Sequence, residues 1–127
     1  MTAESLVADP GAIEGIASAV RDGSADPVAL VEASLRRIAA VEKEVQGWCL
    51  LDRERALADA QTLRQEAQAG RIRSPLHGIP IAIKDVLDVA GLPTRAGSKT
   101  RAEIAPSTID ARPGRCRIAG TVENVNA

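Results

Sequence analysis

Lys84 stands at the end of a short apolar run, Ile79-Pro80-Ile81-Ala82-Ile83. A run of that length reads as a buried strand. Burial disfavours the ammonium form, so a lysine at the end of such a strand can lose its proton near neutral pH. The neutral amine is a base, and bases activate nucleophiles. The same position also suits a solvent-facing lysine that guards a sheet edge. Spacing alone leaves both readings open. Asp85, next in the chain, could pair with Lys84 or cap the turn. The turn carboxylate is the plainer of its two roles.

The other reactive side chains make a thinner set. His77 is the only histidine. A lone histidine could be a general base, but no nucleophile of recognisable pattern lies near it in sequence, so a structural role in the turn before the strand fits it better. Ser74, Ser98 and Ser107 read as loop or cap serines, and none sits in a Gly-x-Ser-x-Gly elbow. Cys49 lies in an apolar run and reads as a small buried hydrophobe. The chain has no Gly-rich phosphate loop and no His-Glu-x-x-His. No cofactor or metal is implied.

Composition narrows the function classes. A chain of 127 residues suits one domain. Sixteen Lys and Arg balance seventeen Asp and Glu for a net charge of -1, which gives no bulk-charge support for nucleic-acid or membrane-surface binding. With one Trp and no Phe or Tyr, the core must be built from Ala, Leu, Ile and Val, and stacking platforms for single-stranded nucleic acid are missing. Cys49 and Cys116 are far apart and form no metal-ligand spacing. Two free thiols in a reducing cytosol is the simplest reading. No signal peptide and no membrane-spanning run is visible, so a cytoplasmic, soluble protein is expected, with no nucleic-acid or membrane partner.

The elements that must position Lys84 can be read from start and stop signals. Asp9-Pro10-Gly11 opens a first helix with Ile13, Ile16, Ala17 and Val20 on its apolar face and Gly23 as its stop. Asp26-Pro27 opens a second helix that runs to about Val45, with a stripe of Val31, Leu35, Ile38, Val41 and Val45 and a Glu32–Arg36 surface pair. Residues 48–51 suit a short strand. A third helix covers about residues 52–69, with Ala56, Ala60, Leu63 and Ala67 inward and Gly70 as its stop. From Ser74 to about Val89 the Gly, Pro and β-branched residues favour strands and turns. The reading is therefore an α/β chain. Residues 1–73 form a mainly helical layer, residues 74–110 hold the lysine-bearing strand and loop, and residues 111–127 form an atypical tail.

The segment PLHGIPIAIKDVLDVAGLPTRAGSK closely resembles the lysine-bearing motif of the amidase signature family. DPVALVEASLRRIAAVE and LDRERALADA upstream resemble the start of the same enzymes. The resemblance covers roughly residues 10–110 and is most specific over residues 78–97. It implies hydrolysis of a carboxylic amide to a carboxylate and ammonia or an amine, by a Ser-Ser-Lys triad. Lys84 is the position matching the triad lysine, the base toward a bridging serine that relays the proton of the nucleophilic serine. It also implies an amidase-type fold in which the N-terminal helices precede the first strands of a mixed sheet.

The chain departs from that pattern in two ways. The Gly- and Ser-rich segment that carries both triad serines in the family is not in this sequence, nor are the amides of the oxyanion hole. The tail Ala111-Arg112-Pro113-Gly114-Arg115-Cys116-Arg117 sets a Pro-Gly pair where the family continues a helix, and Glu123-Asn124-Val125-Asn126 replaces an apolar strand. A truncated or frame-disrupted amidase, inactive alone, is the leading expectation, with a small-molecule amide as substrate of the intact form only and homo-oligomerisation left open. The alternatives are a glutaminase-type subunit of a tRNA-dependent amidotransferase, and a non-catalytic helical interaction module or remnant.

Overall fold

The computed structural model describes residues 2–8, 13–111 and 124–125. Its elements in chain order are α1 (Ala3–Ala8), α2 (Ile13–Asp22), α3 (Pro27–Val45), β1 (Trp48–Leu50), α4 (Arg53–Gln68), β2 (Ile83–Lys84), a 3₁₀ turn (Lys99–Arg101) and β3 (Asn124–Val125). The fold is α/β, with most of its regular structure in helices.

Local chemistry sets the helix ends. Asp26 caps α3 by accepting from the Val28 N–H at 2.9 Å, with Pro27 in the first turn. Asp52 caps α4 by accepting from the Arg55 N–H at 3.0 Å. Gly70, at φ +73°, ends α4 in a left-handed turn. There the Gly70 N–H donates to the Ala67 carbonyl at 2.9 Å and the Arg71 N–H to the Glu66 carbonyl at 2.8 Å, the paired bonds that satisfy a helix's last carbonyls. α3 ends differently. Gln46 takes a left-handed φ of 48°, and Glu42 accepts from the Gly47 and Trp48 N–H groups at 3.3 and 3.1 Å. One carboxylate thus turns the helix into β1. The cap expected at residues 9–11 lies outside the described residues.

The helices bury two apolar clusters. Ile16, Ala17, Val20 and Leu30 form one with Ile79, while Val31 and Leu35 meet Ala56 and Ala60 in the other. Small alanines on α4 let α3 approach closely. Two parts of the expected apolar faces are instead exposed: Ile13 at the start of α2, and Val41 and Val45 on the last turns of α3. No cluster partner reaches those turns among the described residues. Arg36 does not pair with Glu32. It reaches Glu4 of α1 at 2.5 Å, a helix not read from the sequence.

The strand expected over residues 79–83 is shorter. Only Ile83 and Lys84 pair as a strand, and Ile79 closes a turn by donating to the Leu76 carbonyl at 3.1 Å. Ile79 therefore belongs to the helical cluster and not to a sheet. β3 lies between β1 and β2, antiparallel to the first and parallel to the second. Lys84 pairs with Val125 and Ile83 with Asn124.

Candidate active-site segment

A chain of contacts leads from α4 to Lys84. Arg73 forks onto Glu66 through Nε at 2.5 Å and Nη2 at 2.6 Å, a two-point clamp. Its guanidinium holds the Glu66 carboxyl below the usual carboxylate range. The Arg73 N–H donates to Nδ1 of His77 at 3.2 Å. With Nδ1 as acceptor, the other ring nitrogen carries the proton and Nε2–H donates to the Leu63 carbonyl at 2.9 Å. His77 is 1 % exposed. Both ring nitrogens are thus consumed by backbone groups, and His77 anchors the turn as a structural residue. Gly78 follows at φ +78°, where a Cβ would meet Pro27 Cγ at 2.7 Å and Val20 Cγ1 at 3.1 Å. This glycine lets the turn press against the α2–α3 corner.

Beyond it the backbone reaches β2, where successive side chains face opposite sides. Ile83 is buried with Val89 and Leu92, and Lys84 is exposed. The burial expected around Lys84 from Ile79, Ile81 and Ile83 is therefore not supplied by those three residues: Ile79 is used in the helical cluster, and Ile83 and its partly buried neighbour Ile81 pack into the cluster under the strand. The Lys84 carbonyl accepts from the Val86 and Leu87 N–H groups at 2.7 and 3.1 Å, closing a tight turn just after the lysine.

Asp85 does what the plainer sequence reading gives it. It is 3 % exposed, its Oδ1 accepts from the Arg95 N–H at 3.0 Å, and its carbonyl accepts from the Ala96 N–H at 2.9 Å. The Cys49 thiol on β1 also hydrogen-bonds its carboxylate. Burial, and then the Asp85 charge, push the Cys49 thiol above its ordinary range. Arg95 is a residue that sequence reasoning missed, because its contribution is a backbone N–H. Asp88 and Asp110 were missed too. Thr94 Oγ1 donates to Asp88 at 2.7 Å, and Asp110 accepts from the Ala90 N–H at 2.8 Å. Their one signal was position, since carboxylates in a turn-rich segment usually bond nearby backbone.

The three candidate serines are spent on local turns. Ser74 Oγ accepts from the Leu76 N–H at 3.3 Å, Ser98 shares a 2.8 Å bond with Thr100, and Ser107 Oγ donates to the Ile109 carbonyl at 2.7 Å. The structure brings Cys49, Asp85 and Lys84 to one end of the short sheet, and puts His77 against α4. Among the described residues no group of three or more His, Cys, Asp and Glu could hold a metal ion, and no helix is long and apolar enough to cross a membrane. A cleft of about 460 Å³ lies between the α2–α3 corner and the end of α4, crossed by the Arg64–Asp26 ion pair at 3.4 Å, and Lys84 does not line it.

The Amidase family matches residues 29–113. A glutamyl-tRNA(Gln) amidotransferase subunit of Salinispora tropica is 39 % identical over 107 residues, 84 % of this chain and 22 % of that protein. An acylamidase of Rhodococcus erythropolis is 36 % identical over 88 residues, 69 % of this chain and 18 % of that protein. Among solved structures, an amidase shares 36 % identity with a TM-score of 0.73 over 87 % of this chain and 26 % of its own. PAM12A shares 32 % identity with a TM-score of 0.77 over 90 % of this chain and 24 % of its own. The chain spans about a fifth of the length of the curated relatives it matches. With residues 29–113 matched and the same backbone arrangement in solved amidases, this chain belongs to the amidase family.

Proposed function

We propose that the chain supplies the lysine limb of an amide-hydrolysing site, with Lys84 as base. The observation that supports this most is that the family match over residues 29–113 contains the whole segment around Lys84. In the reaction a nucleophilic serine attacks the amide carbonyl carbon, and its proton passes through a bridging serine to the Lys84 amine. The proton then goes to the leaving ammonia or amine, and water releases the carboxylate from the acyl-enzyme. Lys84 is exposed here, and the chain spans 26 % or less of the relatives above. On this reading the nucleophile and the surface that desolvates the lysine come from residues other than these, and the 127-residue chain alone is inactive. A chimera tests the role of Lys84: this chain replaces the matching part of the 36 % identical amidase. In a folded chimera, Lys84→Ala should lower kcat/KM by about 10²- to 10⁴-fold, the usual contribution of a general base. An unchanged rate would refute the role.

A second reading concerns the substrate. The 39 % identity with a glutamyl-tRNA(Gln) amidotransferase component favours a glutaminase-type subunit that works with partner chains. Copurification of such partners with the tagged chain would support it, and their absence together with hydrolysis of simple amides by the chimera would favour a plain amidase.

A further inference from the structure

We propose that Asp85 is the positioning residue for Lys84, joining the backbone that carries the lysine to both β1 and the loop at residues 94–97. The proposal rests on the reading of Lys84 as the base. Asp85 is a carboxylate at 3 % exposure beside an exposed lysine, and a buried charge persists only where its oxygens are hydrogen-bonded. Its partners come from two separate pieces of chain. One is the Cys49 thiol on β1, and the other is the Arg95 N–H in the loop. The Ala96 N–H adds a third bond, to the Asp85 carbonyl. To make these bonds the loop holds Ala96 at φ 52°, followed by Gly97 at φ 68°. A non-glycine residue stays in that region only where its surroundings hold it there.

The geometry fixes Lys84 from its C-terminal side. The turn that closes on the Lys84 carbonyl, through Val86 and Leu87, begins at Asp85. On its other flank Lys84 is held by pairing with Val125 and by the burial of Ile83. Two short strand residues alone are weak support, so the hub at Asp85 is the main restraint on the lysine's position.

The test uses the full 127-residue chain carrying Asp85→Ala or Asp85→Asn, with amide hydrogen exchange read by NMR. In Asp85→Ala, exchange at Val86, Leu87 and Ala96 should quicken by about tenfold, while amides of the α3–α4 core stay near wild type. Asp85→Asn keeps an acceptor oxygen and should recover most of that protection. Competitive acetylation by limiting acetic anhydride gives a readout on the lysine itself. The rate at Lys84 relative to Lys43 should change by about threefold in Asp85→Ala and return toward wild type in Asp85→Asn. Unchanged exchange at Val86 and Leu87, an unchanged Lys84 rate, or a uniform loss of protection across the chain would overturn the proposal. Both readouts are independent of turnover, so a failed catalytic role for Lys84 in the chimera leaves this test intact.

Discussion

His77 Nε2 lies 2.9 Å from the Leu63 carbonyl oxygen, and this bond joins the lysine-bearing segment to α4. Its other nitrogen accepts from Arg73 at 3.2 Å. Removing the ring leaves a buried carbonyl and a backbone N–H without that partner, together with a side-chain-sized void. His77→Ala should therefore destabilise the chain by about 1–3 kcal/mol, measured as a lower urea midpoint with the slope unchanged. A variant as stable as wild type would show that the turn is held by other means.

Gly78 and Gly97 form a matched pair. Both have positive φ, +78° and +68°. At Gly97 nothing lies within 4 Å of a Cβ, whereas at Gly78 Pro27 Cγ lies at 2.7 Å. Gly97→Ala should cost only the backbone strain of about 1–2 kcal/mol. Gly78→Ala adds a clash with a ring packed at the α2–α3 corner, so its cost should exceed that of Gly97→Ala by at least about 1 kcal/mol. Paired thermal or urea melts decide this, and equal costs would mean that the corner moves aside freely.

Cys49 should be slow to react with thiol reagents. Burial raises its pKa from the ordinary 9.0, and the Asp85 charge raises it further. The folded chain holds the thiol proton more tightly than the unfolded chain does. That contribution to stability is complete below the ordinary value and is lost as pH rises through the raised one. In a Cys116→Ser background, the pH profile of alkylation should lie above that of a free thiol and move down in Asp85→Asn. A profile matching a free thiol would contradict the contact.

The Arg73 fork lowers the Glu66 pKa from 4.5. An acid with a depressed folded value adds stability above its unfolded pKa and loses it as pH falls through the folded one. Glu66→Gln should therefore flatten the stability profile on the acid side of the ordinary carboxylate value, leaving the neutral-pH fold in place. Acid melts of the two proteins that superimpose would show the fork to be a bystander.

What the sequence discloses here is mostly what is local. The caps at Asp26 and Asp52 and the stop at Gly70 are read from single residues, because the bonds involved span two to five positions. α1 went unread because its start pairs Thr2 with Ser5. The Ser5 N–H donates to Thr2 Oγ1 at 3.2 Å and the Thr2 N–H to Ser5 Oγ at 3.1 Å, a reciprocal cap without the usual Glu or Gln. The length of β2 depends on Asn124 and Val125, about forty residues on, and pairing at that distance leaves no local mark. The apolar run at residues 79–83 showed that side chains would be covered, but not that Ile79 would join helices while Ile83 joined a loop cluster. Lys84 was picked out by its motif, and its exposure was hidden for the same reason.

If Lys84 serves a nucleophile from outside these 127 residues, the chain alone should be inert toward amides. The most direct measurement is ammonia release from a panel of simple aliphatic and aromatic amides, by the purified 127-residue chain and by its Lys84→Ala variant. Both should match the buffer rate. Turnover above buffer by the wild-type chain, abolished in Lys84→Ala, would contradict this, because the chain would then hold a complete catalytic site.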